Sequence, residues 1–258
     1  MSTLPKRSTS PDPPSAPLST VADADTREGH ERIWQEFLQR PAVLVYEPRF
    51  LRIPGVVAML TVQASVTDRS IRARLRRVVN GLKAAAGFEP FPDGHLHMTI
   101  VPPALLTTGE RRPPLLLPDG FESEALGPIR DTLRGYGPFE VRIQGLNVFR
   151  DVLVAVAYDG GHSAEIRQLL ADVVPELPDR YWNVLPALPH VSLAQFTSAE
   201  GVTQLRDAVA PLRDVYLGTL RVNRLYLVRS PLREGVFGEP QRRAIPLTGS
   251  ARGEPVEP

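Results

Sequence analysis

The sequence predicts a mixed α/β (α+β) chain in which one plan is used twice. Two observations lead there. The order strand–helix–strand occurs in each half of the chain, and the second strand of each half carries the pattern His-x-Thr/Ser-apolar. The first copy is His97-Met98-Thr99-Ile100 and the second is His190-Val191-Ser192-Leu193. Alternate side chains of a strand share a face. His95, His97 and Thr99 then form one polar row, while Leu96, Met98 and Ile100 point to a core. His190 and Ser192 repeat the arrangement in the second half.

The elements follow in order. Residues 1–26 are rich in Pro and Ser and read as a disordered leader. Residues 26–40 have helical spacing, with Thr26 as cap and Ile33, Phe37 and Leu38 on one side. Residues 56–65 are a strand. Asp68 caps a helix with the apolar stripe Ile71, Leu75, Val78, Val79 and Leu82; Arg72, Arg76 and Arg77 form its solvated face. The first His motif follows, then a Pro-rich loop over 102–120 and a helix beginning near Glu122. Residues 138–150 and 152–159 pair as strands across a turn at Arg150-Asp151. Ser163 caps a helix with Ile166, Leu169, Leu170 and Val173 inward. Beyond a loop holding Tyr181 and Trp182 come the second motif strand (189–196), a helix (199–213), one long strand (219–230) and a last strand (242–247). The globular domain is set at 27–248, with a flexible tail over 249–258.

Bulk properties narrow the partners. The chain has 258 residues, 42% of them hydrophobic, and a formal net charge of +1. That suits one sizeable domain and gives no global field to gather nucleic acid. There is no Cys, which excludes disulfides, thiolate metal sites and a Cys nucleophile. No apolar run reaches the length of a membrane span, and the N-terminus lacks the apolar core of a secretion signal. These features predict a cytoplasmic protein with no membrane partner.

The two motifs suggest a chemistry. Strands that face each other across a cleft would each offer an imidazole and a hydroxyl. Histidine titrates near pH 6.5, so one ring can be neutral while the other is protonated. A neutral His takes a proton from an attacking hydroxyl or water, and a protonated His gives one to the departing oxygen. The hydroxyls of Thr99 and Ser192 can donate to the oxygens on which charge develops. The chain holds no Walker loop, GxSxG or HExxH pattern. Two other readings compete. His95, His97 and His190 could form a three-histidine metal site for metal-dependent hydrolysis. The cleft could also serve a nucleotide- or RNA-binding module without turnover.

Paired HxTx and HxSx strands in a duplicated α/β chain resemble the 2H phosphoesterase superfamily, more narrowly its 2′-5′ RNA ligase-like and cyclic phosphodiesterase branch. The stretch FPDGHLHMTI resembles the family's first motif and PHVSLAQF its second. The closing LRVNRLYLVRSPLREGVFGEPQRRAIPL resembles its last strands. The resemblance covers roughly residues 50–248. It implies a bilobal antiparallel sheet with outer helices around a central cleft. It implies His97 and His190 as the acid–base pair, Thr99 and Ser192 as phosphate-holding hydroxyls, and no cofactor or metal. The implied substrate is a small nucleotide or RNA end carrying a 2′,3′-cyclic phosphate or 2′-5′ linkage, acted on by a monomer. His95 is a candidate pocket residue, and Tyr181 and Trp182 could stack on a base. The chain departs from the family pattern at Gln195, where many members have arginine, and at Val101-Pro102-Pro103, where Phe and Gly usually follow.

Overall fold

The computed structural model describes residues 20–45, 53–109, 116–178, 188–233 and 236–249. Helix α1 (Val21–Gln39) comes first, followed by β1 (Val56–Ser65), α2 (Arg69–Leu82), β2 (Phe88–Pro90) and β3 (His97–Thr107). Next are β4 (Leu116–Pro118), α3 (Phe121–Arg134), β5 (Phe139–Val148), β6 (Val152–Tyr158) and α4 (His162–Val173). The chain continues through β7 (His190–Phe196), α5 (Val202–Val209), β8 (Tyr216–Val222), β9 (Arg224–Arg233), β10 (Val236–Phe237) and β11 (Gln241–Pro246).

Among the described residues the strands form one sheet in the order β10-β9-β1-β3-β7-β6-β5-β8, with β11 on β9, β2 on β7 and β4 on β3. The pairings are antiparallel apart from β3 with β4. Strands β9, β1 and β3 make one lobe, and β7, β6, β5 and β8 the other. The lobes meet where β3 and β7 pair at Met98 and Val191. The two motif strands are therefore central neighbours, as the duplicated plan requires.

Each lobe's crossover helix serves the other lobe. Helix α2 leaves β1 but packs on β7 and β8; α4 leaves β6 but packs on β3. Asp68 caps α2 by accepting from the amides of Ser70 and Ile71, and Ile71, Leu75, Val79 and Leu82 are buried. Met98, Ile100, Val191 and Leu193 are likewise buried, the inward half of each motif's alternation.

Four local expectations need correction. Helix α1 begins at Val21, capped by Thr20, whose side chain accepts from Asp23 N; Thr26 is buried inside the helix. Its buried face is Asp23, Thr26, His30, Trp34 and Phe37, and Leu38 is exposed. Three polar residues on that face are what turned the apolar-spacing argument. Strand β3 runs through Pro102 and Pro103 to Thr107 instead of giving way to a loop. Its register on β1 slips between Ala104 and Val101, and a bulge is where prolines, lacking an N–H, are tolerated. The strand predicted over 219–230 is two strands, broken at Asn223. Ser163 lies inside α4, where its amide donates to Asp159 Oδ2; the helix opens at Gly161, with φ +93°.

No helix among the described residues is long and apolar enough to cross a membrane. The bulge between β5 and β8 depends on Gly145. It has φ +85°, its amide donates to Val215 O at 2.8 Å, and a Cβ there would run into Arg213 O. Gly145→Ala is expected to cost about 2–4 kcal/mol, from left-handed strain plus the backbone clash. Urea denaturation checks this; a midpoint equal to wild type would refute the strain argument.

Candidate active site

The sheet places the four motif side chains on one face, opposite buried Met98 and Val191. Carrying the Met98–Val191 register one residue each way sets His97 opposite Ser192 and His190 opposite Thr99. Each imidazole thus has a hydroxyl of the other lobe beside it. All four side chains are half-buried.

Both histidines are held in the same way. His97 Nδ1 donates to His95 O at 2.6 Å, and His190 Nδ1 donates to Leu188 O at 2.7 Å. In each case the acceptor is the carbonyl two residues back. A neutral ring whose Nδ1 carries the proton has its lone pair on Nε2. That nitrogen, free of the main-chain bond, can accept a proton when the ring is neutral and donate one when it is protonated. Burial lowers the pKa of both rings. His97 falls to about 4, chiefly through desolvation, with His190, His95 and Arg242 adding repulsion. His190 is lowered by desolvation, partly offset by its bond to Leu188 O.

His95 does not share the strand face. It ends the 3-10 turn Asp93–His95, is exposed, and supplies its carbonyl to His97. Period-two alternation fails there because the strand begins only at His97. Among the described residues no three His, Asp or Glu side chains gather as metal ligands, so the three-histidine arrangement does not form. Tyr181 and Trp182 lie outside the described residues.

The structure adds residues that the sequence reading missed. The turn before His97 is fastened by Arg76, ion-paired to Asp93, and by Arg242 Nη2, which donates to Gly94 O at 2.7 Å. Arg76 therefore has a partner, where the sequence suggested a wholly solvated face. Ser65 pairs with His97, and Gln63 with Thr99, on β1. A cavity of about 300 Å³ beside Ser65 is lined also by Thr67, Arg221, Asn223, Arg224 and Tyr226.

On the other side of the cleft, Asn147 and Ser192 share a face through Val154, which pairs with both. Helix α1 covers that face. His30 is buried; its Nε2 donates to Pro189 O at 3.1 Å and Asn147 donates to its Nδ1 at 3.3 Å. The signal for His30 was its place four residues before Trp34 and seven before Phe37 on one helix face. His162 has a structural setting, bonded through Nδ1 to Tyr136 OH at 2.7 Å and stacked on Phe139.

Comparison with known proteins agrees with this architecture. The structure resembles TT0787 of Thermus thermophilus (TM-score 0.53, 20% identity, 74% of this chain and 99% of that one). It also resembles E. coli LigT complexed with phosphate (TM-score 0.50, 15% identity, 74% and 99%). The fold is that of the bilobal 2H phosphoesterases. Residues 49–233 match the model of the 2′-5′ RNA ligase superfamily, and the chain belongs to that family. A curated relative, the RNA 2′,3′-cyclic phosphodiesterase of Methanothermobacter thermautotrophicus (strain Delta H), is 30% identical over 112 residues, 40% of this chain. The match spans 58% of that relative's length.

The lowered histidines predict a pH effect on stability. Unfolded, His30 and His97 titrate near 6.5; folded, they titrate at about 3 and about 4. Below pH 6.5 the unfolded chain binds protons that the folded chain does not, so stability falls as pH falls towards those values and is unaffected above 6.5. His30→Gln is expected to make the fall in urea midpoint between about pH 6.5 and 4.5 shallower than in wild type. Parallel curves would show that His30 contributes nothing.

Proposed function

We propose that this chain is a metal-independent phosphodiesterase acting on 2′,3′-cyclic phosphates, or on the related 2′-5′ linkage, of nucleotides or RNA ends, and that it works as a cytoplasmic monomer. One observation carries the reading: two imidazoles on adjacent central strands, each fixed through Nδ1, each with a hydroxyl of the opposite lobe beside it. Family membership and the name of the Methanothermobacter relative support the substrate class. That E. coli LigT is complexed with phosphate supports an anionic phosphate ligand.

In this reading the cyclic phosphate lies between His97 and His190. The neutral ring accepts the proton of an attacking water through Nε2 as the new P–O bond forms. The ribose oxygen opposite departs with the electrons of the old P–O bond and takes a proton from the other ring. Thr99 and Ser192 donate to the non-bridging oxygens, where negative charge accumulates. With a ribose hydroxyl as nucleophile the same displacement makes or exchanges a 2′-5′ linkage, and the two rings exchange roles between directions. His95, exposed on the turn two residues before His97, is the side chain assigned to meet the rest of the substrate.

His97→Ala and His190→Ala are each expected to lower turnover of nucleoside 2′,3′-cyclic monophosphates on the order of a hundredfold or more, with the fold retained by circular dichroism. Wild-type turnover should survive EDTA. Activity lost to EDTA and restored by a divalent ion would favour metal-dependent hydrolysis. Binding without turnover would favour the non-catalytic module.

The lowered pKa values also set the pH profile. In the free protein both rings release protons below the usual 6.5, so the bell-shaped kcat/KM profile should peak on the acid side of pH 6.5. A bound phosphodiester anion favours the protonated ring, so the kcat optimum should lie at higher pH than that of kcat/KM. A rate rising steadily through pH 9 would contradict the two-histidine mechanism.

A further inference from the structure

We propose that helix α1 is a positioning element of the reaction centre, with His30 as its positioning residue, clamping the Leu188–Pro189 segment that orients His190. The inference rests on the catalytic reading of His190.

Three contacts carry it. Gly29 lies against Leu188: a Cβ at Gly29 would stand 2.6 Å from Leu188 Cδ2, closer than real Cβ contacts allow. The bare glycine thus lets the helix settle on the residue whose carbonyl receives His190 Nδ1. His30 Nε2 donates to Pro189 O, one residue further on, at 3.1 Å. The ring of Phe149 then stands between the two imidazoles, stacked on His30 at 5.4 Å and tilted against His190 at 4.8 Å.

His30 itself is well determined. Asn147 Nδ2 donates to His30 O at 2.8 Å and to its Nδ1 at 3.3 Å, so the proton resides on Nε2, where Pro189 needs it. Arg213 fastens the helix: it reaches Glu31 at 2.8 Å and Leu146 O at 3.0 Å, and lies 4.9 Å over the Trp34 ring. Helix α1 precedes residues 49–233, so the clamp comes from outside the segment that matches the family. The equivalent support of His97 is made otherwise, by Arg76 and Arg242.

A helix seated on this face also keeps water from His190. The titratable or charged groups nearby are His97 from β3, His30 and Glu31 from α1, and Arg213 beyond them. Burial holds His30 uncharged at working pH. Loss of its ring would loosen the Leu188 carbonyl that receives His190 Nδ1, the bond that props up the His190 pKa, and let that pKa fall.

The test compares His30→Leu, His30→Gln, Phe149→Leu and His190→Ala with wild type. It uses NMR titration of the His190 ring in the ligand-free protein, and kcat, KM and pH profile on a nucleoside 2′,3′-cyclic monophosphate. For His30→Leu the His190 titration should move down by about half a pH unit, as the bond to Leu188 O weakens while leucine keeps the site dry. Its kcat should fall on the order of tenfold or more with KM within about twofold, because ring placement acts on the chemical step. His30→Gln can still donate to Pro189 O and accept from Asn147, and should recover most of kcat. Phe149→Leu should change kcat and the His190 titration in the same direction as His30→Leu. A folded His30→Leu protein with wild-type His190 titration overturns the proposal, as does equal loss in His30→Leu and His30→Gln. Should His30→Leu not fold, Phe149→Leu decides: an unchanged His190 titration overturns the proposal. An active His190→Ala protein would sink the catalytic reading itself, whereas an inactive one beside unaltered His30 variants sinks only the clamp.

Discussion

The arrangement depends on one repeated interaction, the hydrogen bond from a histidine Nδ1 to the carbonyl two residues behind it. A free imidazole can carry its proton on either nitrogen and turn about two bonds. Tying Nδ1–H to a main-chain oxygen removes both freedoms at once. The interaction is local, needing only an extended chain at the histidine and a preceding residue whose carbonyl turns back. Each motif can therefore set its own ring. What neither motif can do alone is bring the second ring to the first, and the central β3–β7 pairing supplies that. Because antiparallel register is quantised in residues, pairing Met98 with Val191 fixes where all four polar side chains stand. A slip of one residue would turn one lobe's histidine into the core.

The two lobes reach this symmetric result by unsymmetric means. On the first side an exposed turn is held by arginines from α2 and β11, through Asp93 and the carbonyl of Gly94. On the second side the main chain before His190 is pressed by a buried helix face. Arginine contacts at a surface are individually modest and screened, whereas a buried neutral hydrogen bond with its donor and acceptor both satisfied is costly to break. Crossover of α2 and α4 to the opposite lobes couples the two halves further, since neither lobe can lose its partner without exposing the back of its own sheet.

Much of this was legible in the sequence. The period-two rows of both motifs from His97 and His190 onward, though not His95, the Asp68 cap and stripe of α2, and the β5–β6 hairpin at Arg150-Asp151 are all local patterns, and local patterns are read well. What the sequence hid is of three kinds. Backbone acceptors have no letter, so nothing in Leu188 or His95 announces that their carbonyls hold the rings. Buried polar residues mislead an apolar-periodicity argument: Asp23, Thr26 and His30 look like solvent-facing positions, yet they line the inner face of α1, Asp23 and His30 with long-range partners. Gly160 N donates to Asp23 at 3.0 Å and His30 donates to Pro189 O at 3.1 Å, across sequence distances no local window spans. The prolines of β3 are a third case, since a bulge absorbs what would break a regular strand.

The electrostatics of the site follow from the same packing. Stripping water from the two motif histidines favours their neutral forms, which in the proposed reaction serves the base and penalises the acid. Within the free protein no carboxylate among the described residues is placed against either Nε2 to compensate. In the proposed reaction the compensating charge comes from the bound anion itself, which restores a proton to one ring only when there is a phosphodiester to act on. Such a site needs no fixed charge pair and incurs no desolvation cost for one. Its geometry must instead be held by neutral hydrogen bonds and packing, and these are the bonds found: main-chain acceptors for both rings, a neutral buried His30 behind one of them, and an aromatic ring between. On the proposed function, discrimination for phosphodiesters resides in the substrate's ability to complete the acid–base pair, with Thr99 and Ser192 assigned to hold the charge as it grows.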